Sequence, residues 1–337
     1  MYRRGHGDSL LLLGVYVDDL IITGSAEAEI NRFKEEMKAM FRMSDLGLLS
    51  FYLGIEVQQS SSGITLCQAH YAKRILEMAG MQDCNPAHTP IEEWLKLSRD
   101  STATEVDITQ YWRIIGSLRY PVHTRLDLAF SVGYMSRFME RPMKEHMAAM
   151  KMILCYVAGM LSLGCHYGRT AEARLVGYTD NDLASDVDTR RSTSDDLFFY
   201  GSNLVRLHAL KQKVVALSSS EVEYVAATTI ATQAVWLARL LGDFKGRDAS
   251  IIKLKIDNNS TLALIQNPVF HERSKHIDVR YHFIRECRED GRISADFIST
   301  MDQLADIQTK ALGRDRFHEL RARIGMVNIN SISTHKD

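Results

Sequence analysis

Short apolar runs of strand length alternate along the chain with longer segments in which apolar residues recur every three or four positions. The short runs are typical of buried strands, and the longer period is typical of amphipathic helices. Their alternation predicts an α/β (α+β) fold. The predicted strands lie at 10–23 (a hairpin), 51–57, 64–66, 174–178 and 251–257. The predicted helices lie at 26–41, 68–78, 111–120, 127–139, 146–158 and 314–324.

Composition narrows the class of protein. The chain has 337 residues, 45% of them hydrophobic, which is enough for two or three domains. A net charge of −1 excludes a polycation, so a nucleic-acid partner would need local basic faces. Five scattered cysteines without a CxxC pair favour reduced thiols. No apolar run approaches the about 20 residues of a membrane span. We therefore expect a soluble protein with no membrane partner, intracellular (cytoplasmic or nuclear) and not secreted.

Four acidic residues stand at strand ends or helix starts in the second half of the chain. They are Asp180 and Asp257, which end strands, and Glu223 and Asp306, which open helical segments. Carboxylates that meet in space need cations between them, and hard oxygen ligands suit Mg²⁺ or Mn²⁺ rather than zinc. Two such ions about 4 Å apart are typical of phosphodiester hydrolysis. The alternative is a set of ordinary turn and strand-end acids with no metal.

Seven segments in the same half carry a family resemblance. They are Gly177–Asp182, Asp186–Asp188, Arg191–Ser194, Lys211–Ala227, Asp257–Asn258, Lys275–Glu286 and Ala305–Leu312. In this order they resemble the ribonuclease H domain of copia-type retrotransposon polyproteins. The resemblance implies a mixed five-stranded sheet with flanking helices and a four-acid site at Asp180, Glu223, Asp257 and Asp306. Glu223 is preferred to Glu221 because Glu-Tyr-Val-Ala-Ala is similar to the helix start found in ribonucleases H.

The resemblance also implies an activity, which is metal-dependent endonucleolytic cleavage of the RNA strand in RNA–DNA hybrids. Two Mg²⁺ or Mn²⁺ ions would activate a water and stabilise the leaving oxygen, and contacts to 2′-hydroxyls would select RNA. The residues expected to contact the hybrid are Arg273, Lys275, His276, Arg280 and His282. Histidines 271, 276 and 282 also raise a zinc hypothesis, but their spacing is not HExxH and no fourth ligand lies nearby.

An earlier acidic pair lies at the tip of the predicted N-terminal hairpin. Tyr16-Val-Asp-Asp, flanked by apolar strands, resembles the palm motif of reverse transcriptases, in which the first acid, here Asp18, ligates metal beside Asp19. A complete palm needs a third acid on an earlier strand, and Met1 falls only fifteen residues before Tyr16. We therefore expect a polymerase remnant with no activity of its own. Residues 1–90 should form a small hairpin-plus-helix unit with an exposed, unpartnered sheet edge.

The same resemblance gives a domain division. Residues 1–92 are expected to be a partial palm, 93–170 a thumb- or connection-like helical segment, 171–326 the ribonuclease H-like domain and 327–337 a disordered tail. Basic residues of the middle segment either line a phosphate path or lie on solvated helix faces. They are Arg113, Arg119, Arg125, Arg137, Arg141 and Lys144.

Three positions depart from the family pattern. Leu183 replaces a Trp, Asp195-Asp196 replaces a Gly-aromatic pair, and Val205–His208 replaces a Trp-containing strand. Because Asp is a poor strand former, Asp195 and Asp196 are expected to face solvent. Two function classes stay open, namely the hybrid-cleaving ribonuclease and a degraded, non-catalytic retroelement remnant that at most binds nucleic acid. The remainder of a retroelement polyprotein is a possible partner, and the oligomeric state stays open.

Overall fold

The computed structural model of the protein describes residues 1–170, 173–182, 187–189, 191–212, 219–246, 251–266 and 278–332. The chain divides into two units. Unit 1 comprises Met1–Leu49 and Val235–Ser250, and unit 2 comprises Ser50–Ala234 and Ile251–Asp337. Both units contain helices and strands, so the predicted α/β (α+β) class is confirmed.

Unit 1 contains a three-stranded antiparallel sheet and a helix. The strands are β1 (Tyr2–Arg4), β2 (Leu11–Tyr16) and β3 (Asp19–Gly24), in the order β1-β2-β3. Helix α1 (Glu27–Met40) follows and buries Phe33. The predicted N-terminal hairpin and the helix after it are thus confirmed, but the predicted extent of their unit to residue 90 is wrong, because the unit's N-terminal segment ends at Leu49 and the strands that follow join another sheet.

Unit 2 contains two five-stranded sheets. The strands of the first are β4 (Phe51–Tyr52), β5 (Ile55–Gln59), β6 (Gly63–Cys67), β7 (Leu163–Gly168) and β13 (Met326–Asn328). They are antiparallel throughout, in the order β13-β7-β6-β5-β4. The strands of the second are β8 (Leu175–Asp182), β9 (Thr193–Tyr200), β10 (Asn203–Lys211), β11 (Ile252–Ile256) and β12 (Ile293–Phe297).

The second sheet has the order β10-β9-β8-β11-β12. Strands β8, β9 and β10 are antiparallel neighbours, whereas β11 runs parallel to both β8 and β12. A central strand with antiparallel neighbours on one side and parallel neighbours on the other makes the sheet mixed. The mixed five-stranded sheet predicted for the second half of the chain is confirmed.

Ten helices accompany these sheets in the described part of unit 2. They are α2 (Ala69–Ala79), α3 (Ile108–Arg119), α4 (Ala129–Met135), α5 (Lys144–Gly159), α6 (Ser219–Lys245), α7 (Asn259–Gln266), α8 (Asp278–Glu289), α9 (Asp306–Thr309), α10 (Arg314–Arg323) and α11 (Ile329–Ile332). From Val235 onward α6 is assigned to unit 1. One hydrophobic core joins residues of α2, α3, α5, β9 and α10.

Helix α6 packs closely on the mixed sheet at Gly177 of β8. A Cβ at Gly177 would lie 2.8 Å from the Phe198 side chain and 3.1 Å from that of Ile230 in α6. A larger residue would force these side chains to shift, so the glycine permits the helix to lie close against the strand. By length and composition alone, Val222–Lys245 is the one described helix able to cross a membrane, and half of its apolar 18-residue stretch is buried. Core helices of soluble proteins meet the same criterion.

Three predicted elements differ from the structure. The strand predicted at 51–57 is split into β4 and β5, because Leu53 and Gly54 have φ of +47° and +78° and turn the chain. The helix predicted at 127–139 is α helical only over α4, with 3₁₀ turns on either side. In place of the tail predicted from residue 327, β13 pairs with β7 and α11 follows it to residue 332. Residues 333–337 lie outside the described part.

The domain divisions predicted at 92/93 and 170/171 fall inside unit 2. Strands β6 and β7 come from two different predicted domains, and β13 crosses the predicted boundary between the ribonuclease H-like domain and the tail, yet the three strands are neighbours in one sheet. The predicted division stays a prediction, but the antiparallel five-stranded sheet of unit 2 takes strands from every predicted segment.

Arg125 belongs to a buried network rather than to a phosphate path or a solvated helix face. Its Nε and Nη2 donate to the two oxygens of Asp127 at 3.0 and 2.9 Å. Tyr156 Oη donates to the same carboxylate at 2.5 Å. Because both charged groups are almost fully buried, they stabilise each other only as a pair.

Candidate active site

Asp180 and Asp257 reach the same edge of the mixed sheet because β8 and β11 are parallel neighbours. Lys255 of β11 is paired with Tyr178 of β8. Residues two apart in a strand lie on the same face. Two residues further along each chain, Asp180 and Asp257 are therefore neighbours at the carboxyl ends of the two strands.

Helices α6 and α9 bring the other two predicted acids. Glu223, near the start of α6, is 8% exposed, and its Oε2 accepts a hydrogen bond from Asn181 Nδ2 at 3.0 Å. Asp306 is the first residue of α9 and is also buried. Gln303 Nε2 donates to the Thr179 carbonyl at 2.8 Å, which ties the segment before α9 to β8.

Three of the four predicted acids form one cluster. Carboxylate oxygens of Asp180, Glu223 and Asp257 all lie within 4.8 Å of one another. Within the described ranges this is the one group of three or more His, Cys, Asp or Glu residues that is able to hold a metal ion. Asp306 is not a member but adjoins it, since Lys310 Nζ lies 3.1 Å from Asp180 Oδ2 and 2.5 Å from Asp306 Oδ1.

The electrostatics of the cluster follow from its burial and its like charges. Burial, followed by the charges of Asp180 and Asp257, raises the pKa of Glu223 to about 8. Burial and the charge of Asp180 also raise the pKa of Asp257. Burial raises the pKa of Asp306, although Lys310 opposes the shift. Without a cation, Glu223 therefore retains at neutral pH a proton that an ordinary carboxyl would release.

These residues fit a divalent cation. Oδ1 of Asp257 is buried and receives no hydrogen bond from the described residues. Three carboxylates within reach of one point supply the hard oxygen ligands that Mg²⁺ and Mn²⁺ prefer. Such a cation would also relieve the repulsion that raises the pKa of Glu223.

Four further residues complete the site and were assigned no role from the sequence. Asn181 bonds Glu223, and Thr309 Oγ1 donates to Asp180 Oδ2 at 2.6 Å. Lys310 bridges two of the acids, and Arg316 Nη2 lies 3.6 Å from Asp306 Oδ2. The sequence spacing of Asp306 and Lys310 could have predicted their contact, because acidic and basic residues four apart on a helix lie on one face.

The residues predicted to bind the hybrid are only partly described. Arg273, Lys275 and His276 lie outside the described residues, as does His271 of the zinc hypothesis. Arg280 and His282 lie on α8, where the structure describes the backbone but not these two side chains. Their roles stay predictions.

The acids of the palm-like motif occupy a hairpin tip. Tyr16 ends β2, Val17 and Asp18 form the turn, and Asp19 begins β3. Val17 has a φ of +52°, a conformation that β-branched residues rarely adopt. Both acids are exposed, and neither belongs to a group of potential metal ligands among the described residues.

Asp195 and Asp196 are buried, so the expectation that they face solvent is wrong. They lie on β9, which has β8 and β10 on its two sides, and are 1% and 5% exposed. Asp196 pairs with Arg206 Nε and His208 Nδ1 of β10, both at 3.3 Å. Arg206 and His208 belong to the Val205–His208 segment, which also departs from the family pattern. Leu183 lies outside the described residues.

Comparison with known proteins defines the family. Residues 1–93 match the family model of reverse transcriptase (RNA-dependent DNA polymerase). The Pol polyprotein from transposon TNT 1-94 of Nicotiana tabacum is 36% identical over 334 residues, covering 96% of this chain and 25% of the polyprotein. That from transposon RE1 of Arabidopsis thaliana is 34% identical, covering 96% and 22%. An uncharacterized mitochondrial protein of Arabidopsis thaliana is 34% identical, covering 67% of this chain and 94% of the relative.

Since relatives above 30% identity extend over nearly all of the chain, the class is that of retroelement polyproteins with a reverse transcriptase region. The chain belongs to the copia-type retrotransposon polyprotein family. It spans about a quarter of the length of the two polyproteins it matches.

Two solved structures have weaker likeness to the chain. A foamy viral protease-reverse transcriptase in complex with double-stranded DNA aligns with a TM-score of 0.48 and 13% identity, over 86% of this chain and 46% of that one. The N-terminal ribonuclease H domain of a Mycobacterium tuberculosis protein aligns with a TM-score of 0.31 and 12% identity, over 44% and 97%.

Proposed function

We propose that the chain carries a metal-dependent endonuclease that cleaves the RNA strand of RNA–DNA hybrids. The observation that carries this proposal is the convergence of Asp180, Glu223 and Asp257 within 4.8 Å, with Asp306 beside them. Buried, ionised carboxylates that crowd together at a sheet edge destabilise the fold unless they bind cations. Divalent metal sites of hydrolases meet this description.

The residues have separable roles in the proposed reaction. Asp180, Glu223 and Asp257 hold the metal, and the family resemblance implies two ions, Mg²⁺ or Mn²⁺, with Asp306 as the fourth acid. The metal supplies Lewis acidity at the scissile phosphate when it is bound. Asn181 fixes the orientation of Glu223, and Thr309 fixes that of Asp180. These hydrogen bonds hold the ligands in place before substrate arrives.

The proposed partner is an RNA–DNA hybrid. Arg273, Lys275 and Arg280 would contact phosphates, and His276 or His282 would assist proton transfer. Contacts to 2′-hydroxyls would distinguish the RNA strand. The rest of a retroelement polyprotein is a further proposed partner. Five free cysteines favour an intracellular location, in the cytoplasm or nucleus.

Polymerase activity is not part of the proposal. Asp18 and Asp19 lie exposed at a hairpin tip, and no third acid joins them among the described residues. Nucleotidyl transfer requires metal ions that such a pair cannot position alone. We expect no primer extension by this chain in isolation.

Cleavage of a labelled hybrid by the purified chain tests the nuclease proposal. With Mg²⁺ present, we expect cleavage by the wild type and a loss of at least about 100-fold in Asp180→Asn, because a ligand charge is removed while the shape is kept. Asp182→Asn and Glu221→Gln are matched controls on the same strand and helix and should be far milder. If Glu221→Gln abolishes activity and Glu223→Gln does not, the assignment of the glutamate is wrong.

The alternative of a non-catalytic remnant makes a different prediction. A remnant would bind nucleic acid without cleaving it, and Mg²⁺ would not raise its melting temperature. A metal site stabilises the folded state by mass action. Thermal denaturation with Mg²⁺ and with a chelator therefore separates the two functions even if cleavage is slow.

A further inference from the structure

Lys310 contacts two of the four acids of the candidate site. Its ammonium is 3.1 Å from Asp180 Oδ2 and 2.5 Å from Asp306 Oδ1. The two carboxylates are almost fully buried, whereas the lysine side chain is 40% exposed. The charge of Lys310 is thus directed inward, and its stem reaches the pocket from the solvent side.

Neighbouring contacts fix the lysine and both acids in this arrangement. Lys310 follows Asp306 by one helical turn, which is the spacing of an ion pair on a helix. Thr309 Oγ1 donates to the same Asp180 oxygen that Lys310 contacts. Arg316 lies 3.6 Å from the other oxygen of Asp306. Both oxygens of Asp306 therefore already face side-chain cations.

The charges of the site balance with one divalent ion. When ionised, Asp180, Glu223, Asp257 and Asp306 carry four negative charges. Lys310 supplies one positive charge, and Arg316, which also pairs with Glu319 at 3.0 Å, supplies a second. One divalent ion would neutralise the remainder, whereas two would leave an excess of positive charge in a largely buried pocket. An ion bonded to Asp180 Oδ2 or Asp306 Oδ1 would also lie beside the ammonium and be repelled by it.

We propose that Lys310 takes the place of the second divalent ion in the substrate-free chain. The free protein then binds one Mg²⁺ or Mn²⁺ ion, held by Asp180, Glu223 and Asp257, and Asp306 is a partner of Lys310 rather than a metal ligand. This inference rests on the proposed metal-dependent function and changes the number of ions that the resemblance implies. A phosphodiester would supply the negative charge needed for a second ion to enter.

Counting bound Mn²⁺ ions on the full chain tests the inference without measuring activity. Free Mn²⁺ is measured by electron paramagnetic resonance while its concentration is raised to about ten times the dissociation constant of the tightest site. We expect one bound ion for the wild type and two for Lys310→Met, with the second site of the variant at least about tenfold tighter than any second site of the wild type. Lys34→Met is the matched control and should bind one ion, because Lys34 makes a 3.1 Å ion pair with Asp45 in unit 1.

The outcomes separate the inference from the proposed function. Two ions on the wild type, or one ion on folded Lys310→Met, overturns the role of Lys310 and leaves the nuclease proposal standing. No ion on either protein, or unchanged binding in Glu223→Gln, overturns the metal site itself. If Lys310→Met does not fold, as judged by circular dichroism, the wild-type count decides: one ion supports the inference and two contradict it.

Discussion

Glu223 is the residue whose chemistry depends most on its surroundings. Its ordinary pKa is near 4.5, and burial with Asp180 and Asp257 nearby raises that pKa to about 8. The metal-free folded state therefore retains a proton that the unfolded chain releases. Asp257 and Asp306 have pKa values raised in the same direction. All three groups favour folding in acid and oppose it as they ionise.

The sign of this linkage gives a prediction for stability in the presence of a chelator. Between about pH 4.5 and pH 8 the unfolded state has lost the Glu223 proton and the folded state has not, so the free energy of unfolding falls across this window. Glu223→Gln should reduce the fall by at least about 1 kcal/mol, since one pKa unit corresponds to about 1.4 kcal/mol. Urea denaturation of both proteins at pH 5 and pH 8 measures the difference.

Magnesium provides the control for that prediction. A bound ion needs ionised ligands, so saturating Mg²⁺ should weaken or reverse the fall for the wild type and have little effect on Glu223→Gln. Equal pH dependence in the two proteins, with or without the ion, would show that Glu223 does not titrate in this window.

Strands β9 and β10 show how two departures from the family accommodate each other. Asp196 on β9 lies directly opposite His208 on β10, and Arg206 reaches the same carboxylate from the diagonal position. Cross-strand neighbours of opposite charge stabilise a sheet. An acid that is unfavourable in a central strand is thus tolerated because the neighbouring strand supplies its partners. Considered separately, each departure suggests a weakened domain.

Removing Arg206 should show how much the burial of Asp196 destabilises the fold when the carboxylate loses this partner. We expect Arg206→Ala to lower the free energy of unfolding by about 1–2 kcal/mol, because the Asp196 carboxylate loses a charged partner. The double variant Arg206→Ala/Asp196→Ala should be no less stable than Arg206→Ala alone. His208→Ala should have a smaller effect, since His208 is more exposed than Arg206. Urea denaturation at neutral pH measures the free energy of unfolding of all three variants. If Arg206→Ala is as stable as the wild type, Arg206 does not offset the burial of Asp196.

At the scale of the whole molecule, β7 connects distant parts of the chain within unit 2. It pairs with β6 on one side and with β13 on the other. Met326 of β13 is opposite Cys165 of β7, and their sulfur atoms lie 3.6 Å apart. Met326 and Ile329 are both buried. The region predicted to be a disordered tail therefore begins with residues that cover the edge of a sheet.

Substitution in β13 tests its contribution to unit 2. Met326→Ala should lower the free energy of unfolding by about 2–4 kcal/mol, because it leaves a cavity beside β7. Val327→Ala is the control on the same strand, and its side chain is only partly buried, so its effect should be below about 1.5 kcal/mol. Thermal denaturation compares the two variants. Similar, small effects in both would mean that β13 is peripheral to stability.

The sequence by itself determined those features that depend on local pattern. The N-terminal hairpin, most helices and the strands that deliver Asp180 and Asp257 follow from apolar periodicity and turn residues, which act over a few positions. The family resemblance supplied the four acids and the mixed sheet. The turn at Leu53–Gly54 was missed because a positive φ at a leucine has no clear sequence signal.

Only the tertiary structure decided features that depend on pairing between distant segments. Asp195 and Asp196 are buried because β8 and β10 enclose β9, and Asp196 is tolerated because of Arg206. The position of Lys310 between Asp180 and Asp306 requires α9 to meet the end of β8. The contact of Lys310 with Asp180 joins residues more than a hundred positions apart. The free energy that fixes all of these contacts comes from packing and charge pairing in the folded state, not from local propensity.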